Sequence, residues 1–129
     1  MNRYLIGLDI GTSGTKCLLC DDEGKVLASS TQTYPLYTPR HGWAEQNPED
    51  WWEAVKRGLK ALFEKHPVDK DRIIGLSFSG QMHGLVALDD QMNVIRPAIL
   101  WCDQRTQKQC DEITEKAGGL EGLLSYTNN

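Results

Sequence analysis

The chain has 129 residues, enough for one domain with a real core and too few for two. Its composition is 40% hydrophobic and 25% charged, with no apolar run near the ~20 residues of a membrane span. A net charge of −4 argues against a nucleic-acid surface, which normally rests on clustered Lys and Arg, so a small-molecule partner is the default expectation.

The first apolar stretch, Leu5-Ile6-Gly7-Leu8, is cut by Asp9 and followed by no typical cleavage site, so a secretory leader is not expected and the chain is expected to be cytoplasmic. Residues 4–8, 16–20 and 26–33 read as three successive strands. They are joined by two turns, Gly11-Thr12-Ser13-Gly14 and Asp21-Asp22-Glu23-Gly24, which predicts an antiparallel meander. Cys17 and Cys20 have C-x-x-C spacing, but on a strand such residues point to opposite faces and do not readily share a metal. The four cysteines, with Cys102 and Cys110, are read as reduced thiols.

The turn at residues 11–14 is the first chemical motif. A glycine-rich turn between strands aims backbone N–H groups at one point and so binds anions, phosphate above all. Gly11 and Gly14 permit close approach, Thr12 and Ser13 add hydroxyls, and either Thr15 or Lys16 closes the turn. An acid beside phosphate makes sense when a cation lies between them, so Asp9 is expected to hold Mg²⁺, directly or through water. The pattern lacks the G-K-S/T ending of a P-loop and precedes a strand, unlike a dinucleotide fingerprint. Taken bare, it also fits a hairpin with an exposed acid.

Residues 34–46 contain Pro35, Pro39 and Gly42 and read as a loop. A helix follows, with Asn47 as N-cap, Pro48 at its first position, and Glu49 and Asp50 at its positive end. Trp51, Val55, Leu59, Leu62 and Phe63 recur on one face, and His66-Pro67 ends the helix. Trp51 and Trp52 are read as core against the sheet rather than as a ligand platform.

Residues 73–79 and 85–88 read as two further strands, with Gly80-Gln81-Met82-His83 between them and a turn at 89–93. Groups at the end of a buried strand are well placed to meet a ligand. Gln81 offers donors and an acceptor, neutral His83 does either, and Met82 packs on a C–H face, which together suit a polyol; a lone turn His is more often incidental. Residues 98–101 form a short apolar stretch. Trp101 is suited to stacking on a sugar, Asp103 and Arg105 to a hydrogen-bonded pair supporting the site. The competing reading makes Trp101 core and Asp103 the cap of a helix with Thr106, Cys110, Ile113 and Ala117 inward and a stop at Gly118-Gly119. The tail at 120–129 begins another helical turn.

The stretch Leu8-Asp9-Ile10-Gly11-Thr12-Ser13-Gly14-Thr15-Lys16, then Trp43-Ala44-Glu45-Gln46-Asn47-Pro48-Glu49-Asp50-Trp51-Trp52, Gly80-Gln81-Met82-His83-Gly84 and Pro97-Ala98-Ile99-Leu100-Trp101-Cys102-Asp103-Gln104-Arg105, in this order, resembles the xylulose-phosphorylating branch of the FGGY carbohydrate kinase family. That family belongs to the sugar-kinase, actin and Hsp70 superfamily. The resemblance implies an α/β fold, a ribonuclease H-like mixed sheet with flanking helices, of which residues 1–129 would be a partial N-terminal domain.

It further implies ATP-dependent phosphorylation of D-xylulose with Mg²⁺. Asp9 would be important for activity beside the metal, and Gly11, Thr12, Ser13, Gly14 and Lys16 would meet the nucleotide phosphates. Gln81, Met82, His83, Trp101 and Asp103 would meet the sugar. The general base and most adenine contacts would lie in a C-terminal lobe outside these residues, so the piece alone is expected to be inactive. It is also expected to expose apolar surface, with a homodimer as the simplest form of self-association. Alternatives are a kinase of the same family for gluconate or fuculose, and a non-catalytic actin-like nucleotide switch.

Overall fold

The structure, a computed structural model, describes residues 3–128; the ends of the expected domain at 1–129 and of the expected helical turn at 120–129 that fall on Met1, Asn2 and Asn129 lie outside the described residues. A mixed four-stranded sheet places its strands side by side in the order 26–33, 14–21, 4–10 and 73–80. Strands β1 (Tyr4–Ile10), β2 (Gly14–Asp21) and β3 (Val26–Thr33) form the expected antiparallel meander. Strand β5 (Ile73–Gly80) returns parallel to β1 after the helix α1 (Pro48–Lys65).

The two meander turns differ in chemistry. At the second, Gly24 takes φ +85°, a left-handed conformation that glycine adopts without Cβ strain. The Asp21 carboxylate accepts from the amides of Glu23 and Lys25 at 3.1 and 2.8 Å.

Helix α1 begins as its sequence requires: Asn47 is extended and its side chain accepts from the Glu49 amide at 3.2 Å, with Pro48 next. Its Ala54, Val55, Gly58 and Leu62 are buried against β2 and β3. Val55 and Leu62 join Ile6, Leu8, Cys17 and Leu19 in the core, each large apolar side chain contributing about 1.5–3 kcal/mol on burial. The approach is close because Gly58 has no side chain: a Cβ there would lie 2.4 Å from Cys17 Sγ.

Period-two alternation decides where the acid goes. Ile6, Leu8, Cys17 and Leu19 face α1. Asp9 therefore lies on the opposite face, opposite Lys16 on β2 and Ser79 on β5 in register.

At the end of the main sheet where β1 and β5 finish, a second, two-stranded sheet pairs β4 (Glu45–Gln46) with β6 (Ala98–Ile99), extended by bridges from Tyr37 to Glu45 and from Leu85 to Ile99. A single turn of 3₁₀ helix at Lys70–Arg72 leads into β5, and helices α2 (Gln107–Lys116) and α3 (Gly119–Thr127) follow β6.

Four readings change. Residues 85–88 form no strand of the main sheet, only the bridges Leu85 to Ile99 and Leu88 to Val94, because the backbone after Gly84 turns to pair with β6. Trp52 is 57% exposed with Lys56 over its ring, so only Trp51 of the pair turns inward. Asp103 is no helix cap: α2 starts at Gln107 after Thr106, because the Asp103 carboxylate is engaged elsewhere. Ile113 is 56% exposed, so the expected inner face of α2 is not buried within the described residues. The stop after α2 is as expected, with Gly118 and Gly119 both at positive φ.

Candidate active site

The turn after β1 is a tight hairpin in which the Gly11 amide donates to Gly14 O at 3.0 Å. Neither glycine has positive φ. Gly14 is demanded by the neighbouring strand, since a Cβ would lie 2.6 Å from Gln32 O, so its close approach is to β3 rather than to a ligand alone. Among the described residues the amides of Thr12 and Ser13, at the tip, have no protein acceptor. That is the donor set an anion needs. The Tyr34 hydroxyl donates to Gly11 O and pins the turn from β3's end. Burial, foremost, and the charge of Asp9 push the Tyr34 phenol up.

Parallel pairing of β1 with β5 delivers the second loop to the same place. The Gln81 amide donates to Ile10 O at 2.9 Å, and Ser79 Oγ donates to Asp9 Oδ1 at 3.0 Å. Asp9, Gly11, Thr12, Gly80, Gln81, Met82, His83 and Trp101 line one open concavity of about 360 Å³. Met82 is 71% exposed, and His83 is held at φ +62°. A non-glycine residue in that region is costly and often marks a functional constraint. Ser13 and Lys16 are exposed nearby; Lys16 lines a second concavity with Asp9 on the open sheet face.

A polar network joins the two loops. Gln46, fully buried, donates through Nε2 to Thr12 O at 2.7 Å and to Pro35 O at 3.3 Å. Its Oε1 accepts from Gln81 Nε2 at 2.9 Å and from Trp51 Nε1 at 3.0 Å. Thr12 Oγ1 donates to Gln81 Oε1 and accepts from Trp101 Nε1, each at 3.2 Å. Gln81 and Thr12, expected to meet sugar and phosphate through their side chains, are thus engaged with each other.

Asp103 and Arg105 form the expected pair. The Asp103 side chain is 1% exposed and accepts from Ala44 N, Arg105 N, Arg105 Nε and Arg105 Nη2, so its carboxylate braces the loop against β4. Hydrogen bonds from Arg105 hold it well below the usual carboxylate range, and Asp103 in turn raises Arg105. Arg105 also donates to Glu45 at 2.8 Å and lies over the Trp43 ring, Cζ 3.6 Å from its centroid. Arg96 donates to the same Glu45 oxygen at 2.9 Å.

Sequence reasoning missed Gln46, Ser79 and Tyr34. Apart from Trp51, five residues from Gln46, their partners lie 11 to 70 residues away, so side-chain type and neighbours do not show what they bond. Among the described residues no three His, Cys, Asp or Glu side chains converge as a metal centre. The exposed Asp9 carboxylate suits a cation that takes one protein oxygen and completes its shell with phosphate and water, as Mg²⁺ does.

Residues 4–127 match the model of the N-terminal domain of the FGGY family of carbohydrate kinases. The xylulose kinase of Bacillus subtilis (strain 168) is 46% identical over 127 residues, 98% of this chain and 25% of that protein. A crystal structure of a xyloylose kinase from Brucella ovis superposes with a TM-score of 0.85 at 36% identity, over 90% of this chain and 24% of its own. For a gluconate kinase from Lactobacillus acidophilus the TM-score is 0.83 at 32% identity, over 91% of this chain and 23% of its own. The chain thus spans about a quarter of the length of the relatives it matches. The mixed sheet with flanking helices expected from the sequence is the arrangement these kinases share.

Proposed function

We propose, from the premise that this chain belongs to the FGGY family of carbohydrate kinases, that the complete protein transfers the γ-phosphoryl group of ATP to the terminal hydroxyl of D-xylulose, giving D-xylulose 5-phosphate. Residues 1–129 act as part of its N-terminal domain and supply the first phosphate turn and part of the sugar site. One observation carries this reading: the turn at Gly11 and Thr12, the loop at Gln81, Met82 and His83, and Asp9 line a single concavity.

Phosphoryl transfer is chiefly a matter of positioning and of neutralising charge. The Thr12 and Ser13 amides, with Gly11, Gly14 and Lys16 around them, receive the phosphates. Asp9 holds Mg²⁺, which when bound offsets the negative charge of the phosphates. Met82 and His83 meet the sugar directly, Trp101 covers it, and Gln81 and Asp103 keep those groups in place. The base that takes the hydroxyl proton belongs to the remainder of the complete protein, so residues 1–129 alone are inactive.

Turnover of D-xylulose, gluconate and fuculose with ATP and Mg²⁺, measured on the complete protein and on residues 1–129, tests the proposal. Preference for D-xylulose by the complete protein alone is the expected result. Preference for gluconate would move the reading to a sugar-acid kinase, the rival favoured by the gluconate kinase likeness. Turnover by the short chain at the full rate would refute its inactivity. A nucleotide switch that transfers nothing is disfavoured by the 81–83 loop in the same concavity. Among the described residues no helix is long and apolar enough to cross a membrane. A cytoplasmic location and a homodimer complete the proposal; light scattering on the complete protein tests the latter.

A further inference from the structure

We infer that Gln46 is a positioning residue that couples the phosphate turn to the sugar loop, so that nucleotide and sugar bind interdependently through it; this rests on the reading of the site given above. A glutamine amide has two N–H donors and a carbonyl that accepts twice, and at Gln46 all are used. Both donors face carbonyls and the oxygen faces two N–H groups, so only one orientation of the amide satisfies the site. With no side-chain exposure, any loss of these bonds leaves buried polar groups unpaired.

The bonds close a ring. Thr12 Oγ1 donates to Gln81 Oε1, Gln81 Nε2 donates to Gln46 Oε1, and Gln46 Nε2 donates to the Thr12 carbonyl. Thr12 belongs to the turn assigned to phosphate, and Gln81 adjoins Met82 and His83. Trp101 is drawn in through its bond to Thr12, and Trp51 anchors the ring to α1. A shift of the turn on receiving phosphate therefore has to move Gln81 or break the ring. Strand β4 holds Gln46 itself, with Glu45 beside it tied to Arg96 and Arg105.

The test is the dissociation constant of D-xylulose for the complete protein, with and without a non-hydrolysable ATP analogue and Mg²⁺, by calorimetry. Interdependence means that the analogue changes sugar affinity by about 5- to 150-fold, and the sugar changes analogue affinity equally. In Gln46→Met, which keeps length and loses every polar partner, that ratio is expected to fall to about 1. A merely structural residue would alter stability or both affinities and leave the ratio standing. Gln81→Met, at a half-buried position of the same ring, is expected to lose the ratio as well, and carries the test if Gln46→Met does not fold. An unchanged ratio in a variant that binds both ligands, or a wild-type protein that binds both independently, overturns the inference alone. A wild-type protein that binds neither ligand overturns the functional reading, and this inference with it.

Discussion

Ser79 Oγ donates to Asp9 Oδ1 at 3.0 Å across the parallel pair of β1 and β5, joining residues 70 apart in sequence. The bond sets one carboxylate oxygen and leaves the acid on the sheet face that α1 does not cover. Asp9→Asn in the complete protein is expected to lower kcat by about 10²-fold or more, because the carboxylate charge assigned to holding Mg²⁺ beside the phosphates is lost. Ser79→Ala removes one hydrogen bond, about 1 kcal/mol, and is expected to lower kcat by no more than about tenfold. Steady-state rates check both, and Asp9→Asn within twofold of wild type would contradict the role given to Asp9.

Asp103 supplies a pH prediction. Its folded-state pKa is depressed by Arg105, so its contribution to stability is fully present above the ordinary carboxylate range, from about pH 5 upward. It is lost as the pH falls through that range toward the depressed value. Asp103→Asn is expected to cost at least about 2 kcal/mol at pH 7 and to flatten the acid side of the stability curve. Urea titrations between pH 3 and pH 7 check this, and parallel curves for variant and wild type would count against it.

At Arg105 the prediction concerns shape as much as charge. Arg105→Lys keeps the charge but loses the planar fork that serves Asp103 and Glu45 together and the stacking on Trp43. It is expected to recover less than half of the stability lost in Arg105→Ala. Denaturant midpoints of the two variants decide it.

Gly58→Ala reverses an ordinary rule. In an exposed helix the change gains about 1 kcal/mol, yet here the new methyl would sit 2.4 Å from the Sγ of Cys17, itself fully buried. A net loss of about 1–3 kcal/mol is expected. The double variant with Cys17→Ala should regain much of it, since the clashing sulfur is gone; additive losses would show that the clash is not with Cys17.

Thiol labelling gives a check on the strand assignment. Cys17 is fully buried and its thiol is pushed up by burial, whereas Cys110 is exposed on α2. Under native conditions iodoacetamide should modify Cys110 well before Cys17. Equal rates would mean that α1 does not cover β2.

Local sequence determined the elements whose causes are local. Asn47 and Pro48 start α1, Gly24 closes its turn at positive φ, and alternation along β1 and β2 puts Asp9 and Cys17 on opposite faces. The motifs at residues 9–16 and 80–84 were legible for the same reason, because turn chemistry and side-chain type are carried by neighbours. Only the tertiary structure decided what those groups are free to do. Gln81 and Asp103 look like ligand groups in isolation, yet Thr12 and Gln46 engage the first, and Ala44 and Arg105 enclose the second. Gln46 itself looks like any loop glutamine. Tertiary partners spend the hydrogen-bond capacity of a buried group: the four bonds that Asp103 accepts fill its carboxylate, whereas Gln81 keeps one N–H and one oxygen lone pair beyond its bonds to Gln46 and Thr12.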